Sequence, residues 1–142
     1  MRDLTLFAYG TLQPGQRYWQ DIERFVQLHQ PAELAGFSMW HMPAGYPSIV
    51  SGPGVVRGAL ITWHPHLAAE AWRVCDRIEG AAPEGDESPL YQRRVVRATH
   101  WAIGIPRAER TQTYVLHPDR RDLLEQGAAP VPRGDWLAFW TR

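Results

Sequence analysis

Short apolar runs punctuated by glycine and proline dominate the chain, and they predict strands more often than helices. Residues 4–9 (Leu-Thr-Leu-Phe-Ala-Tyr) are apolar at nearly every position and predict a buried strand, ended by Gly10 and followed by a Pro14-Gly15 turn. Residues 33–42 are mostly apolar with Gly36 inside, which predicts a bent strand. A brief strand at 48–50 and an alternating one at 55–63 flank a Ser-Gly-Pro-Gly loop at 51–54. Strands at 91–99 and 111–116 complete the set. Helical spacing is rarer. From about 16 to 28, Tyr18, Ile22, Phe25 and Val26 share a face. From 65 to 79, Leu67, Ala71, Val74 and Ile78 form an apolar stripe, and Gly80 stands just past its end, where helices take glycine. A short helix is expected at 119–125. Many strands with two or three helices predict an α+β fold on a mixed, curled sheet, one domain over 1–142.

Glu79 is the residue that this pattern makes conspicuous. A helix C-terminus carries partial negative charge and disfavours a carboxylate. Trp72, Cys75 and Glu79 follow one another along the flank of the apolar stripe, which puts Glu79 at the edge of the buried face. Burial and the helix end both raise a carboxyl pKa, and a carboxyl raised towards neutrality takes and gives protons well. On position alone, a frayed surface helix end explains the residue equally well. Glu70 is mid-helix, and Glu84 and Glu87 lie in the polar 81–90 loop, so they are poorer candidates.

Composition narrows the function class. Fifteen basic residues, all arginine, balance fifteen acidic ones, so no basic excess points to nucleic acid or anionic lipid. Absence of lysine removes a Schiff-base former. One cysteine, Cys75, excludes an internal disulfide framework. No signal-peptide pattern follows Met1 and no run has the length of a membrane span, so we expect a soluble, cytoplasmic protein.

Other residues invite chemical readings. Gly10, after a buried strand, lets the backbone turn sharply, and successive N–H groups at Tyr9, Gly10, Thr11 and Leu12 can hold an anion. An ordinary strand-ending turn accounts for the same spacing. Tyr91 and Tyr114 offer hydroxyls on rigid bodies, though core packing is their default role. His64 and His66 flank Pro65 without carboxylate or cysteine support, so turn residues are a better reading than a metal site. His29, His41, His100 and His117 are isolated. Cys75 reads as a packed thiol. Arg133-Gly134-Asp135 matches an adhesion tripeptide by coincidence, and Gly52-Pro53-Gly54 is too short for a phosphate loop.

Four ordered segments together resemble the γ-glutamylcyclotransferase-like family, including its AIG2-like and γ-glutamylamine cyclotransferase branches. They are Phe7-Ala8-Tyr9-Gly10-Thr11-Leu12, Gly45-Tyr46-Pro47-Ser48-Ile49-Val50 through Gly58, Asp76-Arg77-Ile78-Glu79-Gly80 with Tyr91-Gln92-Arg93, and Thr113-Tyr114-Val115 with Gly134-Asp135-Trp136. The resemblance implies a small mixed β-barrel flanked by helices, with a cavity at one end. It implies Glu79 as the acid/base residue, the loop Tyr9, Gly10, Thr11 and Leu12 as the binder of a glutamyl end, and Tyr91 and Tyr114 as pocket tyrosines. It implies a small-molecule γ-glutamyl substrate with no metal or organic cofactor. The segment 81–90 is long for such a chain and carries three acids, which makes it a candidate lid.

The implied reaction is amide cleavage by cyclisation, of acyltransferase or lyase type. The α-amine of a γ-glutamyl amide attacks the γ-carbonyl, closes 5-oxoproline and expels an amine. Orientation of the curled chain supplies on the order of 7–11 kcal/mol. Two alternatives remain open: a non-catalytic module binding a glutamyl-like ligand in the same cavity, and an amidase in which Glu79 activates water. Gly10 replaced by a β-branched residue is expected to hurt binding more than stability. Trp19, Trp40 and Trp101 are candidates for the far wall of a pocket. The leaving group, and a monomer as against a homodimer, stay open.

Overall fold

The computed structural model describes residues 4–81 and 89–140. Six strands run β1 (Thr5–Ala8), β2 (Val26–His41), β3 (Pro47–Trp63), β4 (Tyr91–Ala102), β5 (Ile105–Leu116) and β6 (Ala129–Pro130). Three short helices accompany them: α1 (Trp19–Ile22), α2 (Ala68–Glu79) and α3 (Trp136–Trp140). Neighbours follow the order β3-β1-β5-β4-β2-β6, and β2 also pairs with β3, so the sheet partly closes into a ring. The β1–β5 contact is parallel, at Leu6 opposite Gln112, and the rest are antiparallel. The fold is thus the α+β, mixed barrel-like arrangement that the strand-rich pattern implies.

β1 explains its own composition. Successive side chains of a strand point to opposite faces. Leu6 and Ala8 join an apolar cluster under α2 with Ile22, Phe25, Ile61, Trp63, Trp72 and Cys75. Phe7 joins the other cluster, with Leu34, Ile49, Val56, Leu60 and Val115. Both faces are covered, so an uninterrupted apolar run is what the position demands.

α2 ends in a Schellman motif. Gly80 is left-handed at φ 67°, the Ala81 N–H donates to the Asp76 carbonyl at 2.8 Å, and the Gly80 N–H donates to the Arg77 carbonyl at 3.3 Å. This stops the helix at Glu79. Burial of Trp72 and Cys75 beside Ala71 and Val74 rotates the core-facing stripe towards the flank that carries Glu79, and Ile78 is only partly buried.

Several boundaries differ from expectation. The helix foreseen over 16–28 is reduced to α1 and a 3₁₀ turn at Glu23–Phe25, because Val26 already enters β2. Residues 51–54 are not a loop: β3 continues through them, and the register shift between Ala35 and Phe37 sets Gly36 (φ 89°) opposite this extra length as a bulge. Pro53 sits in that bulge and gives up no regular ladder bond. β4 and β5 are longer than foreseen and form a hairpin turning at Ile103 (φ 51°) and Gly104 (φ 74°). The 119–125 helix is a 3₁₀ stretch, Pro118–Glu125. The proposed 81–90 lid lies largely outside the described residues. Among the described residues no helix is long and apolar enough to cross a membrane.

Candidate active site

Ends of strands and of α2 converge on a cavity of about 380 Å³. Its wall takes Tyr9 from the end of β1, Gly10, Thr11 and Leu12 from the loop after it, Ile78 and Glu79 from the end of α2, Tyr91 from the start of β4 and Tyr114 from late β5. All seven residues singled out in the sequence therefore meet in one hollow. That volume falls in the lower part of the range for small-molecule sites, about 300–1,000 Å³.

Glu79 stays partly accessible, yet the aromatic wall excludes enough water around its carboxyl to raise the pKa from 4.5 to about 7. Burial is the cause of this rise. Its charge in turn makes ionisation harder for Tyr9, Tyr46, Cys75, Tyr91 and Tyr114, after burial, which is the leading cause for each of them. One carboxyl thus stands within electrostatic reach of four phenols.

The phenol protons are already committed. Tyr9 donates to the Tyr114 carbonyl at 2.6 Å, Tyr91 to the Pro47 carbonyl at 2.8 Å, and Tyr114 to Asp76 Oδ1 at 2.6 Å. A phenol has one proton, so the 2.7 Å contact between Ser48 Oγ and Tyr91 has serine as donor. These three tyrosines therefore offer a ligand ring faces and acceptor oxygens, and no donor.

Donors come from the loop instead. The carbonyls of Gly10 and Thr11 accept from the N–H groups of Gln13 and Tyr18, which pins the loop. Among the hydrogen bonds of the described residues, the N–H groups of Gly10, Thr11 and Leu12 donate to none. A run of unspent N–H groups beside a cavity is what an anion or an oxyanion requires. Gly10 has a second reason to be glycine: a Cβ there would lie 2.5 Å from Pro47 Cγ.

A supporting layer lies behind Tyr114. Asp76 also pairs with Arg93 at 3.5 Å, and the Arg93 guanidinium covers the Trp72 ring at 4.4 Å. Asp76→Ala strands a buried phenol proton, so it is expected to cost about 1–3 kcal/mol, read as a lower denaturation midpoint. Asp76→Asn keeps an acceptor in place and is expected to lose less than half as much. Equal losses in the two variants would mean that the negative charge, rather than the hydrogen bond, holds the layer together.

Sequence reasoning missed Arg17, Tyr18 and Tyr46 as wall residues. Arg17 and Tyr46 lie outside regular elements, where no periodicity flags a side chain, and the periodicity that did include Tyr18 marked it as a packing residue. Trp19, Trp40 and Trp101 are not part of the wall; Trp19 instead packs edge-on against His29 at 5.3 Å, and the tryptophan that does line the cavity is Trp136. Cys75 is buried with its thiol pKa pushed up, as a packed thiol should be. His64 and His66 rings lie 5.9 Å apart at the turn before α2, and no cluster of three metal-ligating side chains occurs among the described residues.

A family model described as "Gamma-glutamyl cyclotransferase, AIG2-like" matches residues 6–138. The structure resembles the solution structure of At3g28950.1 from Arabidopsis thaliana (24% identity, TM-score 0.62, covering 85% of this chain and 67% of that one). It resembles YkqA from Bacillus subtilis (16% identity, TM-score 0.62), covering 95% of this chain but only 40% of the other. It also resembles an AIG2-like protein from Mus musculus (19% identity, TM-score 0.59, covering 84% and 82%). These likenesses concern the fold. No curated protein matches the sequence.

Proposed function

The chain belongs to the gamma-glutamyl cyclotransferase, AIG2-like family, and we propose that it cleaves a γ-glutamyl amide by cyclisation, releasing 5-oxoproline and an amine or amino acid. The observation that carries this reading is the Glu79 carboxyl, with a pKa of about 7, on the same cavity wall as the unspent N–H groups of Gly10, Thr11 and Leu12.

The chemistry needs a base, an acid and an anion holder. The loop amides receive the substrate's α-carboxylate. Acceptor oxygens of Tyr9, Tyr91 and Tyr114 line the space for the α-ammonium. Glu79 removes a proton from that ammonium, the freed amine attacks the γ-carbonyl carbon, and a tetrahedral oxyanion forms. Glu79 passes this proton to the leaving nitrogen, takes the second proton from the ring nitrogen of the tetrahedral adduct, and gives it to the departing amine as the C–N bond breaks, so the amine leaves as an ammonium. The carboxyl ends in its starting state. At an unperturbed pKa of about 4.3 a glutamate is a feeble base, and burial corrects this.

The deciding experiment incubates the protein with a panel of γ-glutamyl amino acids and γ-glutamyl amines and separates the products. Release of 5-oxoproline supports cyclisation. Release of glutamate indicates hydrolysis and a Glu79-dependent amidase. Saturable binding without turnover indicates a binding module.

A pH dependence follows. The base form of Glu79 starts the reaction, so kcat/KM is expected to climb about tenfold per pH unit below pH 7 and to level off above it. An activity already flat at pH 5 would assign the proton transfer to another group.

A further inference from the structure

We propose that Arg17 selects substrates whose leaving group carries a carboxylate: γ-glutamyl amino acids or peptides, in preference to γ-glutamyl amines. This deepens the cyclisation reading of the same cavity and rests on it.

Arg17 lines the cavity but is exposed, so it stands at the mouth, whereas Gly10 and Leu12 of the adjoining loop are buried. Its guanidinium lies 5.1 Å from the centre of the Tyr18 ring, a contact that holds the charge against the rim. Among the described residues no carboxylate pairs with it, and Glu79 is the sole carboxylate of the wall.

Position assigns the role. A glutamyl group engaged by the loop amides and Glu79 occupies the interior, so the part of the substrate that reaches the mouth is the leaving group. A planar guanidinium takes a carboxylate through two parallel N–H···O bonds, a geometry an uncharged amine tail does not offer. Because the site is open to water, the preference is modest and salt-sensitive.

Binding is best measured in Glu79→Gln, which does not consume its ligand, by calorimetry with γ-glutamylglycine and its neutral isostere γ-glutamylglycinamide. The acid is expected to bind roughly five- to tenfold more tightly at low salt, an advantage typical of an exposed ion pair with good geometry. Adding Arg17→Gln should erase that advantage while leaving the glycinamide affinity unchanged, and Arg17→Lys should restore part of it. Equal weakening of both ligands would mean that Arg17 holds the glutamyl end, and an advantage that survives Arg17→Gln would mean that another group reads the carboxylate; either overturns the proposal. So does equal affinity of the two ligands before Arg17 is changed. The parent reading fails separately: an unmodified protein that shows the binding preference yet releases no 5-oxoproline leaves Arg17 as a selector in a site that does not cyclise.

Discussion

Glu79→Gln is expected to lower turnover of any γ-glutamyl substrate by about 10²–10⁴-fold, the usual contribution of a positioned acid/base group. Glutamine keeps the shape of the side chain and the end of α2, but it neither accepts nor returns a proton. The loss should fall on kcat, with KM changing little, because the loop amides proposed to hold the α-carboxylate lie elsewhere in the cavity. Retention of near-normal turnover would remove Glu79 from the mechanism. Glu79→Asp tests reach: the carboxyl withdraws by one methylene, and activity should fall without vanishing.

The same substitution carries a stability signature that a fully solvated glutamate would not give. The folded-state pKa of about 7 lies above the ordinary 4.5, so between those values the folded protein binds more protons than the unfolded one. Stability contributed by this group is therefore full at low pH and declines as pH rises through that window. By about 1.4 kcal/mol per unit the penalty above pH 7 is at most about 3.5 kcal/mol, and less than that because the residue keeps some access to water. Glu79→Gln removes the penalty. The variant is expected to be as stable as the parent at about pH 4 and more stable at pH 8, as read by thermal or urea midpoints. A carboxyl whose pKa burial has raised destabilises the fold once it ionises, and this trade is visible only across the two pH values.

Legibility of the fold varied with how local its causes are. β1 was readable because both its faces are buried and every position repeats the same message. α2 was readable because an amphipathic stripe runs into a glycine that caps it. The short α1 was overread as a long helix: Tyr18, Ile22, Phe25 and Val26 have helical spacing, yet the chain leaves the helix at Glu23 and pairs Val26 with Trp63, a partner 37 positions away that no local pattern announces. The hairpin at Ile103-Gly104 lacked the usual Asn-Gly or Asp-Gly signal. In the site, motif order brought together seven residues, whereas the tyrosine donor directions and the Arg17 rim depend on tertiary geometry. Gly10 shows the difference well. The loop position and its sharp turn were foreseen, whereas the second reason for glycine, the closeness of Pro47, was not.

Gly10→Ala is accordingly expected to destabilise the protein by about 1–3 kcal/mol, the cost of forcing a methyl group into a packed contact. The added Cβ would sit 2.5 Å from Pro47 Cγ and 3.0 Å from Pro47 Cδ. The proline ring cannot simply retreat, since the carbonyl of the same residue accepts the Tyr91 hydroxyl, and Ser48 next to it donates to that phenol. Relief of the clash therefore moves Tyr91 or the loop amides, and activity should fall together with stability rather than binding falling first. A β-branched residue at this position should do worse on both counts. Pro47→Ala deletes the two ring carbons involved while keeping the carbonyl, so the double variant Gly10→Ala/Pro47→Ala should be more stable than the sum of the two single losses predicts. A coupling of 1 kcal/mol or more, roughly the size expected for residues in direct contact, would identify the steric partner. Additive losses would assign the glycine requirement to the loop backbone itself.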